Sequence, residues 1–204
     1  LAGLTRADRE LVEDTFRVTS ISLANLKGAE SIPEFIGDSA ARQSYEFRVY
    51  EQLGELYIRQ ERTKDAADTF GGFARIRPLH AQAPVLQARV IGIYEGSGLP
   101  TLALGAKKEY VQRYGAKSEF RSANSAGWEA SAQPLVKSHL AALARHYHAS
   151  AQKSKSSADY QEAVRWYRAY IASYPGDPET AQNNFLLAEL PTRTAASPKP
   201  RSST

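Results

Sequence analysis

Apolar side chains recur at intervals of three and four along most of this chain, the spacing that lines one face of an α-helix. From Tyr50 the order is Tyr50, Leu53-Gly54 and Tyr57, then Ala66, Phe70, Phe73 and Pro78. That order reads as two helices meeting through small residues. Gly54 and Ala66 let the helix axes approach, the aromatic side chains fill the surrounding space, and Pro78 ends the second helix. A degenerate copy follows in Val90-Ile91, Tyr94, Ala103, Lys107 and Tyr110, with Gly96, Gly98 and Pro100 marking its turn. Further on, Ala163, Tyr167, Tyr170 and Pro175 repeat the intervals of Ala66, Phe70, Phe73 and Pro78. Leu143-Ala144 and Tyr147 supply the opening of that copy if about seven residues are inserted before Ala163, and the polar stretch Lys153–Asp159 is the place for them. The pattern predicts helix pairs over 45–76, 82–114 and 135–174.

The remaining segments are less regular. Residues 1–44 read as a helix pair, Arg9 to Leu26 and Ala29 to Ile36, forming an end cap. Residues 45–80 carry the clearest copy, 81–115 the degenerate one and 135–177 the last full one, while 178–190 start another. Between them, 116–134 is rich in Gly, Ser, Asn and Ala and predicts a loop that bulges outward, pinned by Phe120 and Trp128. Pro134 suits the first turn of the next helix. Residues 191–204 lack large apolar side chains and predict a disordered tail.

The intervals from Tyr50 to Pro78 resemble the tetratricopeptide signature W-x2-L-G-x2-Y…A-x3-F…P, with tyrosine in the place of tryptophan. The resemblance implies an all-α, tetratricopeptide-like solenoid of helical hairpins. It also implies a concave groove, lined by the first helices of successive hairpins, that takes a peptide or a protein. Arg48, Glu51, Glu55 and Arg59 would face that groove. One subgroup of the family clamps the carboxylate tail of chaperones with lysine and asparagine, but Glu51 and Glu55 would repel such a tail. Tyr160, Tyr167, Tyr170 and Tyr174 form a packed stripe, and Trp166 lies off it, which makes Trp166 a further candidate for partner contact. The passage from Asp159 through Tyr174-Pro175-Gly176-Asp177-Pro178 to Ala188 resembles repeats of bacterial envelope assembly proteins, implying a periplasmic or envelope-associated scaffold.

Composition narrows the chemistry. The chain has no cysteine, which removes disulfides, thiolate nucleophiles and cysteine-based zinc sites. Four histidines remain, and their spacing matches no metal-ligand pattern: His139 and His146 can share a helical face, whereas His146 and His148 point apart. Gly96-Ser97-Gly98 lacks the lysine and the preceding strand of a phosphate loop. No catalytic residue, cofactor or metal is therefore assigned. The net charge is +4, but Arg193, Lys199 and Arg201 supply three of these charges, so the body lacks a basic face for nucleic acid. No apolar run approaches the roughly 18 residues of a membrane span. Gly71-Gly72 falls inside an expected helix, where either the helix loosens or a neighbour comes close. The reading is a non-enzymatic protein-binding scaffold. The alternatives are the repeat domain of a larger enzyme and a structural spacer.

Overall fold

The structure, a computed structural model, describes residues 5–37 and 39–190. The expected disordered tail, 191–204, lies outside the described residues. Every regular element among them is helical. The chain divides into two compact units, Leu1–Val136 and Lys137–Thr204.

The first unit opens with α1 (Arg6–Ala24). Thr5 and Asp8 form a capping box there, each side chain accepting the other's backbone N–H at 3.2 Å. The expected second helix of an N-terminal pair is replaced by a 3-10 turn (Gly28–Ser31), α2 (Ile32–Ile36) and α3 (Ala40–Gln43). Pro33 permits a helix start, and Gly37, at φ +52° and ψ −149°, stops it after five residues. Gly28 adopts φ +61°, and a Cβ there would stand 2.6 Å from the Tyr57 hydroxyl, so the turn and its contact both require glycine.

Two helix pairs follow, α4 (Glu46–Arg59) with α5 (Thr63–Ile76) and α6 (Ala83–Gly96) with α7 (Pro100–Tyr114). Each helix packs against the next, and α1 packs against α4. Corresponding helices begin 37 residues apart, at 46 and 83 and again at 63 and 100. The turns correspond as well. The Arg62 N–H donates to the Tyr57 carbonyl and the Leu99 N–H to the Tyr94 carbonyl, both at 2.9 Å, across one left-handed residue, Glu61 (φ 58°) or Gly98 (φ 67°). This is the Schellman way of ending a helix. Gly96-Ser97-Gly98 is thus a helix stop.

Gly54 explains the closeness of α4 and α5. The Phe70 ring occupies the space a Cβ would need, with ring atoms 2.5–2.8 Å from that position. The helix continues through Gly71 and Gly72, and side chains cover both: Val90 and Arg75 approach the first, Tyr50 the second. Glu46 and Arg77 tie the start of α4 to the end of α5 through a 2.7 Å ion pair with a buried carboxylate. Burial, and then the Glu46 charge, push the nearby Tyr50 hydroxyl up to about 12.

The expected loop over 116–134 is largely helical, as α8 (Glu119–Ala123) and α9 (Ser125–Ser131). Ser118 accepts the Arg121 N–H at 3.2 Å and caps α8. Phe120 and Trp128 do pin the segment. Both are buried, the Phe120 ring meets Tyr114 edge-on at 5.1 Å, and the Trp128 indole N–H donates to the Tyr114 carbonyl at 2.6 Å.

The second unit begins within α10 (Gln133–Ser154) and continues with α11 (Ser157–Ser173) and α12 (Glu179–Glu189). The seven extra residues expected as a polar loop lengthen both helices instead, leaving a two-residue turn in which Lys155 is left-handed (φ 56°). Asp159 of α11 accepts hydroxyls from Ser150 at 2.7 Å and Ser154 at 2.9 Å, bridging that turn. At the other end of α11, the Tyr170 hydroxyl donates to Asp177 at 2.9 Å and the Thr180 hydroxyl donates to the Tyr174 carbonyl at 2.6 Å, fixing the start of α12.

Candidate functional site

The charged residues expected along the groove occupy α4, but two of them, Arg48 and Glu55, are paired with neighbouring helices. Arg48 donates to Glu13 of α1 at 2.7 Å and lies 3.6 Å from Glu51, and its guanidinium sits 5.5 Å from the centre of the Phe16 ring. Glu55 pairs with Arg89 of α6, whose guanidinium in turn lies 5.1 Å from the centre of the Phe70 ring. Arg59 is exposed on the last turn of α4. The picture of Glu55 on an open solvated face is thereby corrected. Its carboxylate links α4 to α6, and Glu51 is likewise tied to a cation.

Trp166, expected outside the packed stripe, is only 5% exposed. Its indole N–H donates to Glu162 at 2.9 Å, and the Arg165 guanidinium lies 4.8 Å from its ring. The reason is geometric: α11 packs against α12 and also hydrogen-bonds to α10, so a side chain off the tyrosine stripe is covered too.

A feature not anticipated from the sequence is an apolar groove of about 930 Å³ in the first unit. Val12, Phe16 and Leu23 of α1 form one wall, Ile32, Phe35 and Ile36 another, and Tyr45 with Phe47 and Val49 the third. Arg42 and Arg48 supply its charged lining. Phe35 is 55% exposed and Tyr45 41%, while Leu11 and Val18 on the outer side of α1 are 68% and 53% exposed. The Arg42 guanidinium is anchored by an Nη1 bond to the Phe35 carbonyl at 2.8 Å. The sequence signal is slight: Leu11 and Val18 are apolar residues that a solvated flank does not need. A smaller space of about 470 Å³ lies beside α6, bordered by Ile58, Ala66, Ala88, Arg89 and Gly92.

Two of the four histidines and two of the aspartates hold structural contacts. His80 accepts the Gln82 N–H at 3.1 Å through Nδ1 and lies against the Phe47 and Phe73 rings, and burial lowers its pKa. His148 is buried, its Nδ1 3.1 Å from the Tyr167 hydroxyl and its Nε2 2.9 Å from the Gln152 amide. The Ser150 and Ser154 hydroxyls hold Asp159 below the usual carboxylate range. Asp177 is lowered first by its hydrogen bond with Lys137, then by the Glu179 N–H. Among the described residues, no three of His, Asp and Glu converge as metal ligands, and no helix is long and apolar enough to cross a membrane.

No family model, curated protein or solved structure matches the chain.

Proposed function

We propose that this chain is a helical-repeat scaffold of the tetratricopeptide type that binds another protein and carries no reaction of its own. The observation that carries the binding reading is the open apolar groove of about 930 Å³ in the first unit, with Phe35 and Tyr45 exposed along it. Apolar surface of that extent marks an interaction site more often than solvated surface. The repeat reading is supported by the helix pairs that begin 37 residues apart, by their matching Schellman turns, and by the Phe70 ring set on Gly54. The likeness of residues 159–188 to envelope proteins adds a periplasmic or envelope location to the proposal.

Site-specific cross-linking tests it. A photoreactive residue placed at Phe35, at Tyr45 and at Arg59 is expected to trap a protein partner from an extract of the source cells. A control at Phe185 of α12, which is also exposed, is expected to trap less. If no position of the first unit traps protein above the control, the scaffold reading gives way to the spacer or enzyme-domain alternatives.

A further inference from the structure

Two carboxylates near the groove are engaged, and among the described residues they meet only one of its two cations. Glu13 and Glu51 both lie against Arg48. Among the described residues no carboxylate lines the groove, and Arg42 has no acidic partner there. A side-chain hydrogen bond holds its guanidinium to the backbone carbonyl of Phe35, the residue whose side chain is exposed along the groove. A guanidinium in that setting favours a planar anion, with which it can form two parallel hydrogen bonds.

The shape of the groove distinguishes between possible carriers of that anion. Small-molecule sites enclose roughly 300–1,000 Å³ and bury most of their ligand. This space reaches the top of that range and is open, and Leu11 and Val18, about two helical turns apart, are further exposed apolar side chains of α1, whose Val12 and Phe16 line it. An occupant that covers Phe35, Tyr45 and the flank of α1 together has the dimensions of a helix with apolar anchors three, four and seven residues apart.

Resting on the protein-binding reading above, we propose that the groove takes an amphipathic helix of a partner protein. Its apolar stripe lies against Phe16, Phe35 and Tyr45, and a carboxylate beside the stripe pairs with Arg42. The carboxylate sets which partner and which orientation are accepted, and the stripe supplies the affinity.

Three fluorescent helical peptides test this against the 204-residue chain by anisotropy. One has a Leu/Phe stripe flanked by glutamate, the second has lysine for that glutamate, and the third has the stripe scrambled. The glutamate peptide is expected to bind about tenfold tighter than the lysine peptide. Arg42→Glu is expected to reverse that preference, and Phe35→Ser to weaken both by about tenfold or more. Circular dichroism checks that the variants remain helical, and if Phe35→Ser unfolds, the reversal by Arg42→Glu alone decides. Equal binding of the scrambled peptide, or a preference untouched by Arg42→Glu, overturns the proposal. Self-association abolished by Phe35→Ser would assign the groove to a second copy of the chain. Stoichiometric dodecanoate binding that displaces the peptides would assign it to a small amphiphile, and either result overturns the proposal. Cross-linking at Arg59 separates the two readings. Protein trapped there while the peptides fail leaves the scaffold standing without this groove, and silence in both assays removes both.

Discussion

The pair α4–α5 and the pair α10–α11 set an aromatic side chain at the same point of their second helices and accommodate it by opposite means. Phe70 lies on Gly54, a contact of shape alone in which the missing Cβ is the fit. In the other pair Ala144 takes the interval of Gly54, and the Tyr167 hydroxyl meets His148, four residues further on, at 3.1 Å while the two rings stand edge to face at 5.8 Å. A steric contact without polar atoms tolerates no added volume. A hydrogen-bonded one tolerates volume better but depends on chemical identity. The difference teaches that conserving an interval of small and aromatic residues does not conserve the interaction between them.

The largest effect is expected from Gly54→Val. Its branched side chain collides with Phe70, and the roughly 1 kcal/mol gained by removing a helical glycine does not offset a loss of about 3 kcal/mol. Chemical denaturation checks it, and near-parental stability would mean that Phe70 can leave its place cheaply. Next come Ala163→Leu and Ala66→Leu. Both alanines are fully buried, but Ala66 borders the 470 Å³ space beside α6. A loss of about 2 kcal/mol is expected at Ala163 and about 1 kcal/mol at Ala66. The reverse order would break the comparison.

Tyr167→Phe makes the second pair resemble the first and is expected to cost about 1 kcal/mol, because it strips a buried His148 nitrogen of its partner. Thermal unfolding at fixed pH reads it, and an unchanged midpoint would show that the hydroxyl is dispensable. Glu55→Lys brings two cations together across α4 and α6 and is expected to cost about 0.5–1 kcal/mol, recovered in part by adding Arg89→Glu. A double variant no better than the single would show that the pair contributes nothing. The smallest expected change is a gain of about 0.5 kcal/mol for Glu61→Gly and Lys155→Gly, which relieve left-handed backbone at the two hairpin turns. A loss at either site would mean that its side chain contributes more than the backbone strain costs.

The helix pairs were legible in the sequence almost to the residue, since helices over 46–76, 83–114 and 133–173 answer expectations of 45–76, 82–114 and 135–174. Apolar period and the punctuation by glycine and proline are local signals, and these helices obey them. Ends tied by tertiary contact were not legible. Gly28 makes room for the Tyr57 hydroxyl 29 positions away, and although Trp128 reads as an anchor, the Tyr114 carbonyl that it reaches does not follow from the sequence. The candidate site suffered most. Arg48 and Glu55 were placed on the right helix, yet their partners Glu13 and Arg89 lie 35 and 34 residues away, and only the register between helices brings them together. The groove draws walls from four elements, and no periodicity within one helix announces that Phe35 and Tyr45 stay uncovered.

Growth of the α10–α11 hairpin at its tip has a practical consequence. Relative to α4–α5 the added residues extend the end of one arm and the start of the other, while the turn shortens from three residues to two. The tip is open to solvent, since Gln152 to Lys155 are all exposed. The tip behaves as a port. Foreign sequence grafted between Ser154 and Ser157, whether an epitope, a cysteine for labelling or a second small domain, would ride on the hairpin without entering its core, with the Asp159 bonds to Ser150 and Ser154 marking how close to the base such a graft can be set.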